Sequence, residues 1–331
     1  MDTTTGAAAG AARRTDASQI PVVDISPLRD NSDPVGVARQ LHQASQTLGF
    51  IYVTGHGIPE AVIDAARSNA MDFFRLPDNA KDEIVVSGQH RGWLKQGQSK
   101  MHDNALPDLK ESFIWGLEDD TGYTPKDHPL RGDNQWPTGV PGLRAAAREY
   151  FSHAHNVAHH LMRGFALGLD LDENFFLQTC SSPMSRASFV YYPPQRVENA
   201  GQQFGVGAHT DFGVLTVLGQ DDVGGLQVED INGDWIEAPP VPGSLVVNVG
   251  DLLSRWTAGE YKSTPHRVIN ASGRERLSLV LAFDPDPQTL IDPAAVLDQV
   301  PADAQPAITC GDYLVWRFGK AFSYRQSTDK T

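Results

Sequence analysis

The chain is poor in cysteine: Cys180 and Cys310 are the only two among 331 residues. Two cysteines cannot build a disulfide framework, and they do not stand at zinc-ligand spacing. The expectation is a pair of reduced thiols in a cytoplasmic protein. Long apolar runs are also missing. No stretch approaches the ~18 residues that a membrane-crossing helix requires, so no membrane partner is expected. Positive charge is in deficit, with 27 Lys and Arg against 41 Asp and Glu, a net charge of −14. That balance argues against a general nucleic-acid binder and against attraction to an anionic lipid surface. No internal repeat is visible. Met1 to Ser18 lacks a basic-then-apolar leader; its Ala, Gly, Thr and Ser read as a disordered tail.

What is present is an ordinary globular balance, with 40% hydrophobic and 21% charged residues. Ile20 to Ser26 is short, β-branched and bounded by turn residues, an edge strand that tolerates Pro21. Asp33-Pro34 reads as an N-cap with proline in the first turn of a helix reaching about Leu48. Phe50 to Thr54 is a second strand. Gly55-His56-Gly57 is a turn whose histidine makes a local hydrogen bond, and Pro59 opens a helix through Phe73 and Phe74. Asp78 to Asp108 is polar and irregular, the kind of segment that lines a site. Lys110 to Gly116 is an aromatic-rich strand. Leu143 to about Leu169 is the clearest helix, with Leu143, Ala147, Tyr150, Ala154 and Val157 on one stripe. His155 and His159 stand one turn apart on it and read as a solvated face.

After Pro183 the texture changes to short β-branched segments: 187–192, 206–218, 225–228, 235–236, 244–249, 266–270 and 276–283. Asn232-Gly233 between Val228 and Trp235 is a hairpin signal. Tyr313 to Trp316 fits a helix or an added strand. The fold class is therefore mainly β with a helical N-terminal region and a double-sheet jelly-roll core. The divisions are a tail over 1–18, an α-rich region over 19–180, the core over 181–290 and a C-terminal segment over 291–331 packed on it. They form one integrated unit, since the change near residue 180 is one of texture and not a linker.

The chemistry concentrates in that core. In a strand, residues two apart point to one face, so His209 and Asp211 can reach one point in space. A third ligand, His266, arriving from another strand completes a two-histidine, one-carboxylate face. That is the ligand set of a non-haem iron oxygenase, with open positions for oxygen and co-substrate. A 2-oxo acid fills two of those positions and leaves a far carboxylate that needs a cation. Arg276 supplies a planar fork matching a carboxylate bidentately. Ser278 adds a hydroxyl on the same strand face, and Tyr192 another.

Together these residues give a pattern that resembles the isopenicillin-N-synthase-like branch of the Fe(II)/2-oxoglutarate-dependent dioxygenases, over about residues 20 to 325. Its early marks are Ile20-Pro21-Val22-Val23-Asp24, Gly49 to Ile58, Arg91-Gly92-Trp93 and Asp108 to Phe113. Its core marks are Tyr191-Tyr192-Pro193-Pro194, His209-Thr210-Asp211, Tyr261 to Val268 and Arg276-Leu277-Ser278. The resemblance implies a double-stranded β-helix fold, Fe(2+) on His209, Asp211 and His266, and 2-oxoglutarate held by Arg276 and Ser278 with Tyr192 assisting. O₂ is the second co-substrate, and ascorbate helps in vitro. Val190 stands where plant members often carry Asn, and Trp93 where tyrosine is usual. The implied reaction oxidises an unactivated C–H bond of a small-molecule metabolite with release of succinate and CO₂. Hydroxylation leads, ahead of desaturation or cyclisation.

Three alternatives stand beside it: a 2-oxoglutarate-independent oxidase of the isopenicillin N synthase type, a non-redox jelly-roll protein binding a metal or small acid, and a zinc hydrolase. Candidate substrate contacts are Arg91, Trp93, Lys110, Phe113, Arg255, Trp256 and Phe283. Arg267 and Asp251 are read as supports of the barrel. A monomer or weak homodimer is expected.

Overall fold

The structure, a computed structural model, describes residues 19–99, 106–195 and 204–322. The tail expected over 1–18 lies outside the described residues, as do 323–331 of the C-terminal segment.

Local signals set the N-terminal elements. Strand β1 (Val22–Asp24) is short and lies at the edge of its sheet, where Pro21 costs no ladder bond. A short helix α1 (Ser26–Arg29) follows. Asp33 caps α2 (Pro34–Thr47), its carboxylate accepting from Gly36 N at 2.9 Å. Gly49 then turns the chain at φ 69°, and a Cβ there would sit 1.9 Å from the Lys262 carbonyl oxygen. That turn delivers β2 (Phe50–Thr54). His56 makes the local bond expected of it, accepting from Ile58 N at 3.1 Å. Helices α3 (Glu60–Phe74) and α4 (Asp78–Lys81) come next. The irregular segment expected from Asp78 hides a strand, β3 (Gly92–Leu94), too short to show a period. It pairs antiparallel with β4 (Glu111–Gly116). Helix α5 (Leu143–Gly168) matches its stripe, burying Tyr150, Val157, Leu161 and Phe165.

The remaining elements are β5 (Arg186–Tyr192), β6 (Val206–His209), β7 (Leu215–Gln220), β8 (Leu226–Glu229), β9 (Trp235–Glu237), β10 (Leu245–Val249), α6 (Asp251–Trp256), β11 (His266–Val268), β12 (Arg276–Phe283), β13 (Leu290–Ile291), β14 (Ile308–Thr309) and α7 (Cys310–Ala321). Tyr313 to Trp316 is therefore helical. The Asn232-Gly233 hairpin joins β8 to β9, which pair antiparallel. The stretch expected as one strand over 206–218 is two, separated by a turn after His209, and each joins a different sheet.

The larger sheet has the order β1-β2-β10-β7-β12-β5-β4-β3, and the smaller β6-β11-β8-β9. Two facing sheets of this kind make the jelly roll. The N-terminal region is more than helical, because it contributes β1 to β4 to the larger sheet.

Strict alternation divides the larger sheet's two faces. Odd positions such as Phe113, Trp115, Phe189, Leu279 and Val247 pack under α2, α3 and α5 in one apolar cluster. Even positions on the same strands point between the sheets. There, Phe50, Tyr52, Val190, Val206 and Val268 form a second cluster. The cavity opens beside this second cluster. His155 and His159 depart from the solvated-face expectation. Both pack on Phe283, with ring centroids 5.0 and 5.5 Å away, between α5 and the sheet.

Both cysteines are free thiols, and burial pushes Cys180 up to about 12. Among the described residues, no helix is long and apolar enough to cross a membrane.

Candidate metal centre and its cavity

Strands β6 and β11 run antiparallel with His209 directly opposite His266. Their rings lie 4.2 Å apart between centroids. Asp211 is not on the strand, since β6 ends at His209. Alternation thus places the first imidazole, and the following turn places the carboxylate. That turn is pinned by Asp251 N, which donates to the Asp211 carbonyl at 2.7 Å. Gly250 is required for it, because a Cβ there would lie 2.1 Å from the Gly213 carbonyl oxygen.

Asp211 Oδ1 lies 3.8 Å from His209 Nε2 and 3.8 Å from His266 Nε2. The three ligand atoms all fall within 4.8 Å of one another. The other ring nitrogens face backbone carbonyls: His209 Nδ1 is 2.8 Å from Gly207 O, and His266 Nδ1 is 3.2 Å from Thr264 O. A proton on Nδ1 donates to the carbonyl and leaves the Nε2 lone pair free for a metal. Asn248 Nδ2 donates to Asp211 Oδ2 at 2.7 Å, which turns Oδ1 toward the histidines.

Electrostatics favour the same protonation states. Burial and the neighbouring His266 ring lower His209, keeping it neutral. Burial works to raise Asp211, but charge interaction with His266 and His209 and the hydrogen bonds from Asn248 and Thr216 outweigh it, so the carboxylate lies below its usual range. Two imidazoles that each present Nε2 and one ionised carboxylate, converging on one point, suit a divalent cation.

Beyond this cluster the cavity ends at Arg276. Its guanidinium is buried, donates from Nε to Gly224 O at 2.6 Å and from Nη1 to Ser278 Oγ at 2.7 Å, and lies 4.6 Å above the Tyr192 ring. No carboxylate pairs with it among the described residues. Arg276, Ser278 and Tyr192 all line the cavity, as does Val190.

The cavity itself is about 200 Å³. Of the expected substrate contacts, Lys110 lines it. The structure places the others elsewhere. Trp93 and Phe113 occupy the opposite face of their strands, where Trp93 Nε1 donates to Glu111 at 2.8 Å and Phe113 sits under the helices. Arg91 donates to the His90 carbonyl at 3.0 Å. Arg255 reaches Gln305 and the Pro306 carbonyl at the surface. Trp256 packs on Phe176 and Phe283 on His155, each 5.0 Å between centroids. Asp251 accepts from Ser263 and Tyr313, consistent with support of the barrel.

Several cavity residues escaped the sequence reading. Arg186 continues the even-numbered face of β5, a signal that was available. It pairs with Asp284 at 2.7 Å and lies 4.7 Å over the Phe318 ring. Phe212 follows Asp211 directly. Phe318 and Phe322 come from α7 and its end, and nothing local to them says which surface α7 covers.

The pattern described as the non-haem dioxygenase in morphine synthesis N-terminal region matches residues 20–139. That of the 2OG-Fe(II) oxygenase superfamily matches residues 183–285. A homoarginine-6-hydroxylase of Glycine max is 36% identical over 297 residues, covering 84% of this chain and 89% of its own length. A 2-oxoglutarate-Fe(II) type oxidoreductase of Emericella nidulans is 35% identical, with 81% and 80% covered. Among solved structures, a full-length Neurospora crassa protein in complex with α-ketoglutarate and thymine superposes with a TM-score of 0.79 at 28% identity, covering 91% of this chain and 96% of that one.

Proposed function

The chain belongs to the 2-oxoglutarate–Fe(II) oxygenase superfamily, and from that premise we propose that His209, Asp211 and His266 hold its iron while Arg276 and Ser278 hold the far carboxylate of 2-oxoglutarate. The protein is a non-haem oxygenase that uses both. This sets aside the 2-oxoglutarate-independent oxidase and the non-redox binding module. When bound, the iron couples O₂ reduction and decarboxylation of 2-oxoglutarate to succinate and CO₂ with oxidation of a substrate C–H bond.

The chain's own residues bind, orient and exclude. The Gly207 and Thr264 carbonyls keep both imidazoles in the Nδ1–H tautomer, so each offers Nε2. Asn248 fixes the rotation of the Asp211 carboxylate. Tyr192 stacks on the Arg276 guanidinium and Ser278 accepts one of its protons, which locks the plane of the fork. The aromatic rings of Phe212, Phe318 and Phe322 line the cavity and keep bulk water from the reacting bond. The substrate is a small molecule entering beside these rings. The names of relatives support hydroxylation as the outcome, and the thymine complex supports small-molecule binding.

The observation that carries the reading is the convergence of three ligand atoms within 4.8 Å, in a cavity that also holds a buried guanidinium with no carboxylate partner among the described residues. The test is the weak visible charge-transfer band expected when Fe(II) and 2-oxoglutarate are added without oxygen. His209→Ala should abolish the band and succinate release together. A His209→Ala variant that retains both overturns the ligand assignment.

A further inference from the structure

The cavity's charges are unevenly matched. Among the described residues Asp211 is the one carboxylate lining it, against Lys110, Arg186 and Arg276. Arg186 is answered from behind by the buried Asp284 carboxylate at 2.7 Å. On the oxygenase reading, a divalent iron on Asp211 and a dianionic 2-oxoglutarate shared between iron and Arg276 cancel one another. Lys110 is left over.

Its position in the sheet explains why. Lys110 precedes β4 and continues the row of Ser112 and Ile114, which line the cavity from that strand. The acids beside it in sequence are committed elsewhere. Glu111 faces the other side, where it accepts from Lys81 and from Trp93 at 2.8 Å each. Asp108 accepts from Gly207 N at 3.0 Å and from Ser99 Oγ at 2.7 Å. Among the described residues Lys110 has no hydrogen bond, ion pair or ring contact. Part of the remaining wall is aromatic, with Phe212 and Phe318 rings 5.8 Å apart and Phe318 and Phe322 rings 5.3 Å apart, while neutral polar groups such as His90, Ser112, Ser188 and Thr210 line the rest. A part-buried cation in a cleft with low-dielectric walls attracts an anion far more than the same lysine does in water.

We propose that Lys110 anchors the substrate, and that the substrates are small organic acids with a single carboxylate and an apolar body seated against the phenylalanine wall. The inference rests on the oxygenase reading and names the substrate class for the same cavity. Lys110 acts as a point charge for a carboxylate, while the aromatic rings accept the body and select against polar or cationic ones.

The test uses the full chain loaded with Fe(II) and saturating 2-oxoglutarate under argon, with calorimetric titration of paired probes: butanoate, hexanoate and 3-phenylpropanoate, each against its primary amide. The wild type should bind at least one acid about tenfold or more tightly than its amide. Lys110→Gln should abolish that preference, Lys110→Arg should retain it, and both should leave 2-oxoglutarate affinity unchanged, read from the visible band. The proposal is overturned if no acid is preferred by the wild type, or if Lys110→Gln keeps the preference. It also falls if Lys110→Gln weakens 2-oxoglutarate itself, which would make Lys110 part of the co-substrate site. Absence of the band in the wild type would bring down the oxygenase reading instead, and this inference with it.

Discussion

Replacing Arg276 with methionine separates ligand binding from folding. A guanidinium carries five N–H donors. Three are engaged by Gly224 O at 2.6 Å, Ser278 Oγ at 2.7 Å and Gln220 Oε1 at 3.4 Å. Among the described residues one on each terminal nitrogen remains, which suits a bidentate carboxylate. Two charge-assisted bonds at about 1.5–3 kcal/mol each amount to roughly 3–6 kcal/mol, or roughly two to four orders of magnitude in dissociation constant. Arg276→Met should lose that much 2-oxoglutarate affinity. The ligand-free protein should respond differently. Arg276 is 1% exposed and lacks a carboxylate partner among the described residues, so its charge is a desolvation burden until ligand arrives. Methionine removes that burden at the cost of three orphaned acceptors, about 1 kcal/mol each, and the apo melting temperature should change little. The assay is thermal unfolding with Mn(II) replacing Fe(II) and 2-oxoglutarate varied. At a hundredfold excess over the wild-type dissociation constant the ligand should stabilise the wild type by about 2.7 kcal/mol, a shift of roughly 4 °C, and the variant by less than about 1 °C. An Arg276→Met protein that keeps the wild-type shift refutes the reasoning. So does a ligand-free variant that melts far below wild type, since the guanidinium would then have been compensated already.

Asn248→Ala frees the Asp211 carboxylate to rotate and should weaken Mn(II) binding by roughly 10–100-fold in calorimetry; an unchanged affinity would show that the turn alone holds Asp211. Phe189→Ala empties a fully buried site beside Trp115, 4.5 Å between ring centroids, and should cost about 3–5 kcal/mol in urea unfolding. It should leave 2-oxoglutarate affinity intact, because Phe189 lies on the helix-covered face of the sheet. Burial and the neighbouring His159 hold His155 down to about 3, so the native state refuses a proton that the unfolded chain takes up. Its stability contribution is whole above about pH 6.5 and is lost as pH falls toward the native value, by up to about 1.4 kcal/mol per unit. His155→Phe should flatten the acid side of the stability curve, measured as urea midpoints between about pH 7 and about pH 5; an unaltered slope would place the acid sensitivity elsewhere.

The elements with strong local signals were readable in advance. Asp33-Pro34 announced α2, the stripe from Leu143 announced α5, and Asn232-Gly233 announced the β8–β9 hairpin. Each rests on interactions among neighbours in sequence. Strand β3 was not readable, since three residues carry too little period and its strand status comes from pairing with β4. The division of 206–218 between two sheets was not readable either. It depends on the turn at Asp211, whose carbonyl is claimed by Asp251 from the start of a later helix. His155 and His159 looked solvated because imidazoles are polar, yet Phe283 offers them aromatic faces that only the β12 register brings near.

The site divides along the same line. His209, Asp211, His266, Arg276 and Ser278 could be chosen because each has a residue type tied to a task. The rest of the cavity wall has no such link, and choosing residues by type there leads to Trp93 and Phe113, which alternation turns away from the cavity. Alternation was the better guide. The register pairs Ser112 with Val190 and Val190 with Ser278, so the even positions of β4, β5 and β12 share one face across three strands. Following that row outward reaches Lys110 on β4's leading edge and Arg186 at the far end of β5. Once Ser278 is assigned to the cavity, one pairing therefore selects Lys110 over Glu111 and Arg186 over Ala187. The rings of Phe318 and Phe322 obey no such rule. They enter from a helix outside both sheets, and their place is set by docking contacts such as Arg186 over the Phe318 ring at 4.7 Å. The residues proposed for metal and co-substrate thus follow from chemistry, part of the remaining cavity wall follows from register, and another part follows from how α7 packs.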